Sequence, residues 1–353
     1  MKLRVAIIGT GRVSPNHFAA IEALSDKLTL IAACDLAEER IPQGIPCYTC
    51  YKEMMSVEKP DLVAIATDSG SHAEIGLYCL NHGAHCIIEK PIALSISDAD
   101  RLISAAEANS KILAVCHQNR FNKSIQKIRE AYDNGRFGKL SHIAAHVRWC
   151  RNEEYYTQAP WRGKWSTDGG CLMNQCIHNA DILRWLIGDI EEVFAYTNNV
   201  QHSYIEGEDL GLALIKGKNG VLGLFEGTVN TYDKNLEETL YIFGEKGTVK
   251  AAGTSVNILE EWKFADNHDD PEDIKTKYRE NPPNVYGFGH TPFYADVANA
   301  ILSGKQPLID GYEGKYALEL ILAIYKSKKT GQPVRLPLDD FSSSEMEGIF
   351  CNL

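Results

Sequence analysis

Over the first third of the chain, short apolar runs alternate with amphipathic stretches. Residues 3–8 (LRVAII) are aliphatic and β-branched, end in a glycine turn, and are followed by NHFAAIEALSDK with helical spacing. LTLIAACD, DLVAIAT (61–67), AHCIIEK (84–90) and KILAVCH (111–117) repeat the apolar run, so five strands are predicted. SHAEIGLYCLNHG and SISDADRLISAAEANS read as helices between them, with Gly83 suited to the C-terminal cap of the first. Continuous apolar strands separated by helices predict a doubly wound parallel sheet covered on both faces.

After about residue 122 the pattern changes. One helix, SIQKIREAYDNGRFG, precedes LSHIAAHVRW, EEVFAYTNN, DLGLALIKGKNGVLGLFEGTVN and TLYIFGEKGTVKAAG. These alternate apolar and polar positions and meet at Gly, Asn and Lys turns, as antiparallel hairpins do. Two late helices, TPFYADVANAILSG and EGKYALELILAIYKSKKTG, close this part. The reading is an α/β domain with a doubly wound parallel sheet over 1–121, then an α+β domain over 122–353 with a large, mostly antiparallel open sheet. A chain of 353 residues exceeds the usual single core, in keeping with two domains.

Composition narrows the class. A net charge of −11 without a Lys/Arg cluster argues against nucleic-acid or membrane-surface binding. The opening MKLRVAIIGTG is too short for a signal segment, and no later run approaches a membrane span. The ten cysteines lack paired metal spacing, and the lone Cys47-x-x-Cys50 reads as two reduced thiols in a loop. No metal site is expected, and a cytoplasmic protein is.

The first glycine turn carries chemistry. Gly9, Thr10, Gly11, Arg12 and Val13 lie between strand and helix, where Gly9 permits a tight turn and Gly11 lets backbone approach a diphosphate. Ser14 stands where a third glycine is usual. Asp35 ends the next strand, placing a carboxylate where both adenosine ribose hydroxyls donate and a 2′-phosphate is repelled. NAD is favoured, and Arg40 leaves NADP open. Thr67, Ser69 and His72, after the third strand, either line the cofactor crevice or cap a helix.

Glu89-Lys90-Pro91 ends the fourth strand. Pro91 turns the chain sharply, so Lys90 projects into the crevice where open α/β sheets bind ligands. Beside an oxidised nicotinamide its ammonium is disfavoured, which suits proton exchange with a reacting hydroxyl. The alternative is an ion pair with Glu89 that ends the strand. Asn119 and Arg120 follow the fifth strand near the nicotinamide side, although Arg120 can instead brace the domain junction. In DGGCLMNQCIHNADILRWLIGD a helix is predicted over 171–187, with Asn174, His178 and Asp181 on one face. An imidazole there can accept an alcohol proton, or else it is a core histidine satisfied by Asp181.

Together these stretches resemble the Gfo/Idh/MocA oxidoreductase family, through IIGTGRVSPNH, CD at 34–35, EKP at 89–91, NRF at 119–121 and the Gly-Gly…His-x-x-Asp helix. The resemblance implies a Rossmann domain followed by a sheet domain that oligomerises as a dimer or tetramer, and nicotinamide-dependent oxidation of a sugar or polyol hydroxyl. It implies catalytic roles for Lys90 and His178, and Asn174 stands where an aspartate is frequent. YYTQAPWRGKWSTDGG and YGFGHTPFYADV (286–297) resemble members that oxidise C3 of UDP-N-acetyl-D-glucosaminuronic acid for surface-polysaccharide synthesis. For such a ligand, Arg162 and Lys164 offer cations to a carboxylate or diphosphate. Trp161 or Tyr156 offers a ring to the sugar or uracil, and His290 either contacts substrate or caps the helix after it. Alternatives are another sugar or inositol dehydrogenase, an NAD-dependent glycoside hydrolase, or a non-enzymatic NAD or sugar sensor.

Overall fold

The computed structural model describes residues 2–282 and 284–350. The chain forms two compact units, Met1–His117 with His290–Lys315, and Gln118–Gly289 with Tyr316–Leu353.

The first unit is built on six parallel strands. These are β1 (Leu3–Ile8), β2 (Leu28–Cys34), β3 (Cys47–Tyr48), β4 (Leu62–Ile65), β5 (His85–Ile88) and β6 (Leu113–Val115), in the order β3-β2-β1-β4-β5-β6. Helices α1 (Ser14–Ala23), α2 (Tyr51–Glu58), α3 (His72–Asn81) and α4 (Ile96–Ala108) connect them. Val5, Ile7, Val63, Ile65, Ile87 and Val115 are fully buried, as strands covered on both faces require. The sixth strand is β3, a two-residue edge strand that takes in Cys47 from the expected loop. It pairs with Ala33 and Cys34 and has no apolar run to announce it. The sheet order reverses between β1 and β4, which is where a doubly wound sheet opens its ligand crevice.

The division falls at His117, not at residue 121. The segment from His290 also returns to the first unit, which corrects its expected place in the second domain. Its helix buries Phe293, Tyr294, Val297 and Ala298 and packs on α1, and Ile309 O accepts from Val115 N at 3.2 Å. Helical spacing marks an apolar face without saying what that face packs against.

In the second unit, α5 (Lys123–Asp133) leads to β7 (Leu140–Arg148), α6 (Glu153–Thr157), α7 (Cys171–Asn174) and α8 (Ile177–Ile187). Strands β8 (Ile190–Asn198), β9 (Leu210–Gly217), β10 (Leu222–Thr228), β11 (Glu237–Gly244), β12 (Gly247–Ala252) and β13 (Ile258–Phe264) follow. After α9 (Pro271–Lys277) the chain forms α10 (His290–Ser303) in the first unit, and α11 (Gly311–Thr330) and β14 (Val334–Arg335) follow it. The eight-stranded sheet has the order β13-β12-β11-β7-β10-β9-β8-β14 and is antiparallel except for the β7–β10 pair. α7 and α8 cover one face of it; β9 alternates buried with exposed positions, as a one-sided sheet does.

Candidate functional site

The glycine turn lies hard against the end of β4. Gly9 has φ +92°, and a Cβ there would stand 2.5 Å from Ala66 O, so both backbone conformation and space demand glycine. A Cβ on Gly11 would meet nothing within 4 Å, so no neighbouring protein atom requires that glycine. Ser14 donates to Gly11 O at 2.9 Å, closing the turn where a third glycine is usual. Asp35 faces the same turn. One of its oxygens accepts from Thr10 N at 2.7 Å and Thr10 Oγ1 at 3.0 Å, and the other from Ala37 N at 3.0 Å. Arg40 reaches this carboxylate only at 3.9 Å and is largely exposed. Arg12 is exposed and Val13 half-buried at the start of α1. A cleft of about 810 Å³ opens beside the turn, lined by Thr10, Gly11, Ser14, Phe18, Leu30 and Arg40.

Thr67 accepts from Ser71 Oγ at 2.8 Å, and Ser69 is buried in the short turn before α3. His72 is buried, with Nδ1 2.7 Å from Pro91 O and Nε2 3.3 Å from Thr67 O. It therefore ties the loop after β4 to the turn after β5, and burial holds its pKa below the ordinary imidazole value. That is a bracing role for a residue expected to line the crevice or cap a helix.

The Glu89 carboxylate turns to two histidines. Its Oε1 lies 3.0 Å from His17 Nε2 and 3.8 Å from His290 Nε2, and His17 Nδ1 meets Tyr294 OH at 2.7 Å. Burial pushes the Glu89 pKa up, but the two imidazoles outweigh it and hold the carboxyl well below its usual range. His290, expected to contact substrate or to cap the helix after it, opens that helix; it is 4% exposed, faces Glu89 and packs edge-on to His17. Lys90 follows at the strand tip, partly exposed, its peptide to Pro91 cis. Among the described residues, the ligand atoms of His17, Glu89 and His290 lie within 4.8 Å of one another, near enough to share a metal ion. The sequence pattern announced none, because the three come from distant positions.

In the second unit the predicted helix over 171–187 is broken. Cys171 O accepts from both Gln175 N and Cys176 N, a wide turn that separates α7 from α8. Asn174 therefore leaves the single stripe expected for it with His178 and Asp181. Its side-chain amide donates to Asp168 Oδ1, while Asp168 Oδ2 accepts from Gly163 N at 2.6 Å. His178 is 9% exposed on the first turn of α8. Asp181 is not its partner. Arg120 holds Asp181 with Nε at 2.7 Å and Nη2 at 2.6 Å, both side chains being buried. Its guanidinium also lies over Trp185, so Arg120, expected either near the nicotinamide or as a brace, fixes α8. Asn119, beside it, is buried and accepts from Gln118 Nε2 at 3.4 Å.

The aromatic loop divides its residues between packing and surface. Trp165 is fully buried against Tyr325, and Tyr156 is buried beside Tyr155 and His202. Trp161 and Arg162 are half-buried and Lys164 is exposed. Tyr156, expected as a stacking surface, is a packing residue. Its neighbour Tyr155, which the sequence reading passed over, has a hydroxyl that accepts from Gln175 Nε2 at 2.9 Å and from Arg162 Nη1. Two adjacent tyrosines do not reveal from sequence which ring turns inward.

The glycine turn, pinned carboxylate and open approach at Gly11 fit a dinucleotide, and together with the sheet order they define an NAD-binding Rossmann unit. The comparisons agree. The family model described as "Oxidoreductase family, NAD-binding Rossmann fold" matches residues 3–117, and the GFO/IDH/MocA C-terminal domain matches residues 125–250. The chain belongs to the Gfo/Idh/MocA family and is an NAD-dependent oxidoreductase acting on CH–OH groups. The WlbA dehydrogenase from Bordetella pertussis, solved in complex with NADH and UDP-GlcNAcA, is 37% identical with a TM-score of 0.88, over 96% of this chain and 98% of that one. A myo-inositol 2-dehydrogenase from Thermotoga maritima is 26% identical over 95% of this chain and 98% of its own. A D-apiose dehydrogenase from Paraburkholderia graminis is 25% identical over 95% and 90%.

Proposed function

We propose that this enzyme oxidises the C3 hydroxyl of UDP-N-acetyl-D-glucosaminuronic acid, in nucleotide-sugar synthesis for surface polysaccharide, in the cytoplasm. The observation carrying this reading is the 37% identity, across nearly both whole chains, to a dehydrogenase solved with that nucleotide sugar. Bound NAD supplies the hydride acceptor. His178 accepts the hydroxyl proton, and Lys90 donates a hydrogen bond to the same oxygen and stabilises its developing charge. Asn174 cannot take a proton; steadied by Asp168, it orients a substrate hydroxyl. Gly9, Thr10, Gly11, Arg12, Val13 and Asp35 hold the adenosine and diphosphate half, with Thr67 and Ser69 along the crevice. Trp161, Arg162 and Lys164 receive the polar end of the substrate.

A second reading, a polyol or free-sugar dehydrogenase, is favoured by the inositol and apiose relatives at lower identity. A panel of UDP-sugars, free sugars and inositols, followed by reduced-nicotinamide absorbance, separates the two. The first expects a rate only with the uronic nucleotide sugar; a faster rate with inositol would overturn it.

The outward face of the large sheet supports a homo-oligomer formed through it. Tyr196, Leu212, Leu214, Leu222 and Leu224 are all exposed on β8, β9 and β10. Among the described residues no helix is long and apolar enough to cross a membrane.

A further inference from the structure

Most arginines of the second unit are neutralised. Arg120, Arg129, Arg136, Arg148 and Arg184 each meet a carboxylate at 2.5 to 3.7 Å. Arg279 and Arg335 are exposed, and Arg151 and Arg162 differ from both groups. Among the described residues neither has a carboxylate at ion-pair distance, in a chain whose net charge is −11. Both are only half exposed, and both Nε atoms are buried with no acceptor. What holds them is aromatic. Their guanidinium carbons lie 5.0 and 4.2 Å from the centroid of one ring, Tyr155, with Trp149 beneath Arg151 at 4.6 Å and Trp161 beneath Arg162 at 4.5 Å. Arg151 Nη1 is steadied by Cys150 O at 2.6 Å and Asn235 Oδ1 at 3.0 Å. Burial pushes the buried Glu238 carboxyl well up, while Arg151 draws it partly back down, and the two side chains do not come within ion-pair distance.

Two guanidiniums brought to one tyrosine, with no carboxylate among the described residues at ion-pair distance, are costly to keep partly desolvated unless an anion completes them. Tyr155 OH accepts from Gln175 Nε2, and Gln175 lies in the helix break between Asn174 and His178. We propose that Arg151 and Arg162, mounted on Tyr155, form the site for an anionic group of the substrate. Arg151 is its specificity-determining member, and the group is the diphosphate or the uronate carboxylate of the nucleotide sugar. Both groups present paired oxygens to a guanidinium fork. This rests on the nucleotide-sugar reading above.

The test compares wild type with Arg151→Met and Arg162→Met, which keep the apolar stem, and with Arg151→Lys, which keeps the charge. Each is titrated calorimetrically with UDP, N-acetylglucosaminuronic acid and UDP-N-acetylglucosamine, and assayed with UDP-N-acetylglucosaminuronic acid and NAD. The Met variants are expected to raise KM for the full substrate by roughly ten- to a hundredfold, with kcat and the KM for NAD within about twofold. Arg151→Lys should fall between. Weakened UDP binding identifies the diphosphate as the bound group, and weakening confined to the free uronic acid identifies the carboxylate. If wild type does not oxidise the nucleotide sugar but Arg151→Met still weakens UDP, the substrate reading fails and the anion site stands. Full turnover and unchanged binding in both Met variants would overturn the site alone, as would wild-type protein that binds none of the three anions.

Discussion

Arg120 grips Asp181 through two parallel hydrogen bonds of 2.7 and 2.6 Å, with neither side chain open to solvent. The pair bolts α8, and with it His178, to the turn that begins the second unit. Removing one partner leaves a buried charge uncompensated, which costs about 3–5 kcal/mol. Asp181→Ala is therefore expected to lose stability of that order in denaturant unfolding and to lower kcat. A shift below about 1 kcal/mol would show that water replaces the lost partner.

The two turn glycines should fail differently. Gly9→Ala meets Ala66 backbone at 2.5 Å in a left-handed conformation, so unfolding free energy should fall by more than about 2 kcal/mol. Gly11→Ala meets no protein atom, so it should unfold like wild type yet bind NAD at least about tenfold more weakly. Equal loss of stability in both would remove the argument that Gly11 is reserved for the cofactor.

Asp35 is held by three donors with both oxygens directed, and Arg40 is too distant and exposed to neutralise it. Asp35→Ser should lower kcat/KM with NAD by about ten- to a hundredfold and narrow the preference over NADP. An unchanged ratio of the two cofactors would count against the assignment.

Glu208 gives a pH signature. It is fully buried, accepts from Leu172 N at 2.7 Å and Tyr325 OH at 2.7 Å, and its pKa is raised by burial from 4.5 to about 8. The folded state then binds a proton that the unfolded chain has released, so stability falls as pH rises from about 4.5 to about 8. Relative to wild type, Glu208→Gln should gain stability across that window, by an amount on the order of a few kcal/mol at its upper end. Parallel stability curves for the two proteins would place the carboxyl's titration elsewhere.

Local features of the sequence were legible and long-range ones were not. Strand, glycine turn and Asp35 lie within one stretch, so spacing alone brought Gly9, Gly11 and Asp35 to one place. The partners of buried charges come from far along the chain. His17 meets Tyr294 across 277 residues and Arg120 meets Asp181 across 61, separations over which periodicity carries no signal. The helix over 171–187 looked unbroken because its apolar spacing is continuous. The widened turn at Cys176 is a backbone event that residue types do not mark. Arg151 carried no signal because an arginine lacking a carboxylate at ion-pair distance is recognisable only in the fold.

The most direct test of the account is reduced-nicotinamide formation from NAD and UDP-N-acetylglucosaminuronic acid by wild type, Lys90→Ala and His178→Ala, with NAD affinity measured alongside. The account expects turnover in wild type alone and the same NAD affinity in all three. Undiminished turnover in both variants, or none in wild type with this substrate and NAD, would contradict it.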